Sequence, residues 1–121
     1  MNIAVCDPLQ ESLKNVKALL ERIPYAEKIE LYSNIEFFFE DIREGKFYDA
    51  VLMELDWKNE RNGIDLAQEI HQYNSCIRII FMTCHAADYV ENAVLETSNM
   101  SGFLLKPIKL QLLTKILEKI Q

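Results

Sequence analysis

Tyr48-Asp49-Ala50-Val51-Leu52-Met53-Glu54-Leu55-Asp56-Trp57 is the stretch whose reading decides the fold. Four apolar residues, Ala50 to Met53, run straight into two carboxylates, Glu54 and Asp56, spaced two apart. A run that is hydrophobic on both faces reads as a central strand of a parallel sheet, because a strand covered on both sides does not alternate apolar with polar. Ligands of such sheets gather at the carboxyl ends of the strands. Glu54 therefore stands where function usually sits, and the question passes to whether other strands deliver partners to the same edge.

Working outward, Asn2 to Cys6 is a second apolar strand, and it delivers Asp7. Pro8 follows where its fixed φ suits the first turn of a helix. That helix shows Leu9, Leu13, Val16, Leu20 and Ile23 at three- and four-residue steps, with Lys14, Lys17 and Glu21 opposite, until Pro24 stops it. Lys28-Ile29-Glu30-Leu31 alternates polar with apolar, as an edge strand does. Ser33 to Glu36 has the S-x-x-E spacing of a capping box before a helix with Ile35, Phe38, Phe39 and Ile42 inward, ending near Gly45. In Phe37-Phe38-Phe39 the pattern expects core plus one exposed ring.

An irregular turn from Asp56 to Arg61 leads to Asn62-Gly63 and a helix with Ile64, Ala67 and Ile70 inward. Ile77 to Met82 is a strand ending at Thr83. Tyr89, Val90, Ala93 and Val94 predict a weaker fourth helix. Gly102 to Leu105 is a short strand ending at Lys106-Pro107, and Leu113, Ile116, Leu117 and Ile120 line a fifth helix. Five strands alternating with five helices predict a parallel sheet wound on both faces by right-handed crossovers, a three-layer α/β sandwich.

The 121 residues are expected to form one domain, 1–121, large enough to bury roughly two thirds of the surface of its unfolded chain. No apolar run reaches the roughly 18 residues of a membrane span. The N-terminus meets Asp7 too early for a signal peptide, so a cytoplasmic location is expected. A net charge of -6 argues against nucleic-acid binding by this domain. Cys6, Cys76 and Cys84 lack C-x-x-C spacing, so neither a disulfide framework nor a zinc site is indicated, and buried reduced thiols are expected. His71 and His85 are expected to be solvated.

Each buried strand hands over a polar residue at its C-terminal end: Asp7, Glu54, Thr83 and Lys106. Two or three carboxylates, a hydroxyl and an ammonium at one sheet edge make a small anion- or metal-handling pocket. The residues around them, Cys6-Asp7, Met53-Glu54-Leu55-Asp56, Asn62-Gly63-Ile64-Asp65-Leu66-Ala67, Phe81-Met82-Thr83 and Phe103-Leu104-Leu105-Lys106-Pro107, carry a resemblance. Over essentially its whole length the chain resembles the receiver domain of two-component response regulators, and it is most similar to receivers that precede LytTR-type DNA-binding domains.

The resemblance implies a flavodoxin-like (βα)5 fold with strand order 2-1-3-4-5. It also implies an Asp after the third strand that accepts a phosphoryl group from a histidine kinase, and Mg²⁺ held by an acidic pair after the first. Here Glu54 stands at the acceptor position and Pro8 in place of the second acid, with Asp56 completing the acidic pocket. One extra methylene displaces the carboxylate by about an ångström, and a misplacement of that order can cost about a hundredfold. Mg²⁺ at Asp7 and Glu54 is expected to be weak or absent, and no other cofactor is indicated. The loop Trp57 to Arg61 lacks the family's Pro-Gly and is one residue longer. Thr83 and Lys106 match the switch hydroxyl and the phosphate-binding Lys, and Phe103 matches the aromatic that turns inward on activation.

The resemblance therefore implies a degenerate bacterial receiver, a non-enzymatic pseudo-receiver in which Glu54 supplies a permanent negative charge. It would act by protein contact through the face of the fourth helix, fifth strand and fifth helix, as part of a transcriptional regulator whose DNA-binding domain is not in this chain. A homodimer is a second kind of partner weighed. Two other readings stay open: a working receiver that takes phosphate from a kinase on Glu54 or Asp56 with Mg²⁺, and a stand-alone adaptor. A redox sensor at Cys6 and Cys84 is disfavoured, because no basic neighbour lowers either thiol pKa. Glu54 is expected to pair with Lys106, Asp7 close by, with Thr83 and Phe103 in the outward arrangement.

Overall fold

Every position of β3 (Ala50–Glu54) is buried, and alternate side chains show why. Val51 and Met53 enter one core, Ala50 and Leu52 the other. Neighbouring β1 (Asn2–Cys6) divides in the same way, Ala4 and Cys6 against Ile3 and Val5, and β4 (Arg78–Thr83) sends Ile79 and Phe81 one way and Ile80 and Met82 the other. With a side-chain period of two and a core on each face, the strands have no polar side to show. β2 (Lys28–Tyr32) and β5 (Met100–Leu105) complete a five-stranded parallel sheet in the order β2-β1-β3-β4-β5, the fold class and order expected. The computed structural model describes residues 1–58, 61–84 and 100–121.

One face of the sheet is covered by α1 (Gln10–Leu20) and α4 (Leu110–Ile120), through Leu13, Val16 and Leu20 and through Leu113 and Leu117. The other is covered by α2 (Ile35–Arg43) and α3 (Gly63–Tyr73), through Ile35, Phe38, Phe39 and Ile42 and through Leu66, Ala67 and Ile70. Here α4 is the last of the expected helices. The expected fourth, with Tyr89, Val90, Ala93 and Val94, lies outside the described residues, as does His85.

Several local expectations are corrected. Leu9 is half exposed, because it precedes α1 instead of joining its buried face. Ser33 does not cap α2; Asn34 does, accepting from the Glu36 amide at 2.9 Å, since a short amide side chain at the N-cap satisfies that orphan donor. In α3 Leu66 is fully buried together with the expected Ala67 and Ile70, whereas Ile64 is only partly buried. Cys6 is buried, but Cys76 and Cys84 are exposed because they follow the ends of α3 and β4, where the core stops. His71 is half-buried and lies 3.0 Å from the Ile77 carbonyl oxygen through Nε2, so it ties α3 to the start of β4 instead of standing in solvent.

The aromatic run divides as its pattern expects: Phe38 and Phe39 are fully buried and Phe37 is 60% exposed. Phe38→Ala should therefore cost about 3–5 kcal/mol, whereas Phe37→Ala should stay within about 0.5 kcal/mol. Urea denaturation of the two variants followed by circular dichroism checks the contrast.

Candidate functional site

Parallel strands end at one rim of the sheet, so Asp7, Glu54, Thr83 and Lys106 arrive there together. Asp7 and Thr83 are buried, and Glu54 retains 4% of its exposure. Lys106 follows β5, its amide donating to the Thr83 carbonyl oxygen at 2.8 Å, and its side chain reaches back across the rim. Its Nζ donates to Asp7 Oδ2 at 2.5 Å and to Glu54 Oε1 at 2.7 Å. One ammonium thus joins the ends of β1 and β3 to the end of β5.

The two carboxylates are held independently of the lysine. Asp7 Oδ1 accepts from the Leu9 amide at 2.9 Å, and Oδ2 accepts from the Ser12 hydroxyl at 2.6 Å. Glu54 Oε2 accepts from the Asp56 amide at 3.1 Å, while its backbone oxygen accepts from the buried Trp57 indole Nε1 at 2.7 Å. The chain after β3 therefore folds back over its own end. Asn62 caps α3 through the Asp65 amide, and Gly63 donates to the Leu55 carbonyl oxygen at 2.9 Å. A Cβ at Gly63 would lie 2.4 Å from the Glu54 backbone oxygen, so the Asn-Gly pair is there for a close approach of α3 to β3.

Burial opposes the charge on Lys106, but its hydrogen bonds to Asp7 and Glu54 and the charges of both outweigh that, and its pKa is raised above the ordinary lysine value. The ammonium is fully charged at neutral pH. A buried pair offsets part of its desolvation through good geometry and further hydrogen bonds, and Asp7 and Glu54 each have such further donors.

The expected pair of Glu54 and Lys106 with Asp7 alongside is present. Asp56 is exposed and contributes its amide to the pocket. Phe103 is half-buried and packs on the core that carries α2 and α3. Its arrangement relative to the expected fourth helix lies outside the described residues. Ser12 was not singled out from sequence, though a hydroxyl five residues after a strand-end acid, on the first turns of the next helix, is a signal that it could reach that acid.

A second polar network went unread as well. The Tyr32 hydroxyl contacts Asp41 at 2.6 Å, Glu30 at 3.0 Å and the Tyr48 hydroxyl, and Tyr48 donates to Glu30 at 2.6 Å. Lys46 lies 2.8 Å from Glu30, and its hydrogen bond, before that of Tyr48, holds the Glu30 carboxyl down at about 2. This network joins β2, α2 and the approach to β3.

Residues 3–118 match the response regulator receiver domain. The chain belongs to this family. Solved structures agree on the receiver fold. The N-terminal domain of a response regulator/sensory box/GGDEF protein from Carboxydothermus hydrogenoformans superposes with a TM-score of 0.85 at 21% identity, covering 99% of this chain and 93% of that one. A CheY-like receiver from Methanospirillum hungatei gives 0.81 at 22% identity, covering 98% and 92%. The isolated receiver domain of RcsB from Salmonella enterica serovar Typhimurium, determined with the phosphomimetic BeF3-, gives 0.85 at 20% identity, covering 98% and 86%. Comparison with curated proteins finds no match.

The resemblance to receivers implies Mg²⁺ in this pocket, and the donors of this receiver do not fit it. Both oxygens of Asp7 and both of Glu54 already accept from protein donors. Pro8 offers no carboxylate, and a hard dication needs several oxygen ligands. Among the described residues no group of three or more His, Cys, Asp or Glu could hold a metal ion.

Removing the lysine leaves two carboxylates uncompensated in a buried rim, so Lys106→Met should lower stability by about 3–5 kcal/mol at neutral pH. Because the folded-state pKa is raised, the contribution is complete below the ordinary value of 10.5 and is lost as pH rises through the higher folded value. Guanidinium unfolding of both proteins from pH 7 upward should show the gap persisting to pH 10 and narrowing only beyond it.

Proposed function

We propose that this receiver domain is a signalling module that works without phosphorylation. The observation that carries the reading is the clasp at the rim: Lys106, the family's phosphate-binding lysine by resemblance, is already engaged by Glu54 and Asp7 at 2.7 and 2.5 Å. A phosphoryl group arriving at Glu54 would have to displace an ammonium held by two carboxylates, and it would do so without the metal that neutralises such a transfer. Glu54 supplies a fixed charge in place of one that comes and goes. Receiver domains are signalling modules, and we assign no catalytic role to any residue of this one.

In this reading residues 1–121 are one domain that acts on a protein partner or an output domain through β5, α4 and the expected fourth helix. Thr83 and Phe103 are its switch positions, held in the outward state because a carboxylate offers two oxygens where a phosphoryl group offers three. The resemblance to receivers of LytTR-type regulators makes a bacterial, cytoplasmic transcription regulator the setting. Among the described residues no helix is long and apolar enough to cross a membrane, which agrees with that setting.

The alternative, phosphorylation on Glu54 or Asp56, is tested on the same protein. Incubated with acetyl phosphate and Mg²⁺ and weighed intact, the wild type should gain no phosphoryl group, and Glu54→Asp alone should gain little. Glu54→Asp with Pro8→Asp should gain far more than the single change, because an acceptor and its metal act as a unit and their effects do not add. Stoichiometric labelling of the wild type would overturn the reading.

A further inference from the structure

We propose that the groove between α1 and the segment joining β5 to α4 is a binding site for a small organic cation, an amine on an apolar body. Leaving the rim after Asp7, α1 runs back along the sheet, and Ser12, Val16 and Leu19 fall on one stripe of it at three- and four-residue steps. Pro107 and Ile108 form the facing wall, and the cavity between the walls, about 640 Å³, reaches Glu54 and Lys106 at the rim. Small-molecule sites have volumes of roughly 300–1,000 Å³ and are mostly apolar, with a few polar groups that fix orientation. This groove has that make-up.

The polar end sets the sign of the charge. Asp7 and Glu54 share the one ammonium of Lys106, so the rim holds one net negative charge. Glu11, exposed in the first turn of α1, adds a second at the lip, and Lys106 is the only cationic side chain among the described residues of the lining. An anion in the groove would meet uncompensated acid, whereas a cation supplies the charge that is missing. Glu54 is able to receive it. A carboxylate has about four lone-pair sites, and among the described residues Glu54 gives one on Oε1 to Lys106 and one on Oε2 to the Asp56 amide. An ammonium needs only one or two acceptors and leaves its other hydrogens to water in the open groove, while a hard dication needs several oxygen ligands at once. Bound there, the amine keeps the clasp intact and touches Pro107 and Ile108, which lead into α4 and the proposed output face.

The test uses three probes of like shape, phenethylammonium, phenylacetamide and phenylacetate, each titrated into the wild-type protein and followed by nitrogen–proton NMR at the amides of Ser12, Val16 and Ile108. Phenethylammonium should give saturable shifts at all of them with a Kd of about millimolar, as expected of so small a ligand, and its binding should weaken with added salt. Phenylacetamide should bind roughly tenfold more weakly, the order of what the second charge adds to a hydrogen bond, and phenylacetate more weakly still. In Glu54→Gln the amine should lose about tenfold on the same ground, while the amide keeps its affinity and so shows that the groove is intact. Asn15→Trp, at an exposed position of the lining, should block every probe.

No saturable shift in wild type, an amine that binds no tighter than the amide or the acid, amine affinity that survives Glu54→Gln, or shifts that persist in Asn15→Trp overturns the proposal. Where Glu54→Gln does not fold, the three probes on wild type decide alone. The groove goes beyond the phosphorylation-independent reading, and the two claims fail separately. Labelling of wild type by acetyl phosphate removes that reading and leaves the groove, and absent amine binding removes the groove and leaves the reading.

Discussion

Three strand ends that are far apart in sequence meet at one ammonium, and the arrangement at the sheet rim depends on that meeting. Asp7 follows β1, Glu54 ends β3 and Lys106 follows β5, so the contacts span 99 and 52 residues. Such contacts form only when the parallel sheet is in register, because a slip of one residue would turn every side chain of a strand to the opposite face. The registers of β1 with β3 and of β3 with β4 bring the ends level. The apolar cores on the two faces supply the stability, and the rim spends part of it holding charges out of water.

The same geometry explains how much of the molecule was legible in its sequence. Strands buried on both faces announce themselves as continuous apolar runs, and β2, with its alternation, announces an edge, which is where it lies. Polar residues at the ends of such runs had to share a rim, and so the pairing of Glu54 with Lys106 could be anticipated from residue types and topology. Ser12 was not reached in this way: its place five residues after Asp7 says that the hydroxyl can approach that acid, but the angle at which α1 leaves β1 decides that it does, and a sequence period carries no such angle. The choice of Asn34 over Ser33 as the cap of α2 turned on a single residue of phase. The exposure of Cys76 and Cys84 depended on where α3 and β4 end, and the Tyr32, Tyr48, Glu30 and Asp41 network depends on how α2 packs against the sheet edge.

For a receiver, the consequence concerns what can move. A ligand shifts a two-state element only by the difference in its affinity for the two states. In the proposed reading the difference comes from Glu54 choosing between Lys106 and any other partner in the pocket, and the close contact to Lys106 favours one state permanently. Signals would then have to act on the output face directly, by binding of a partner, and not through the chemistry of the rim.

The most direct test of the account is the response of the amide resonances of Thr83, Phe103 and Lys106 in the wild-type protein to Mg²⁺ with beryllium trifluoride, followed by nitrogen–proton NMR. The account predicts that these three resonances stay where they are, because the ammonium and both carboxylates are already committed to one another. Saturable shifts at all three, with Trp57 following, would show a rim open to a phosphoryl mimic and would contradict it.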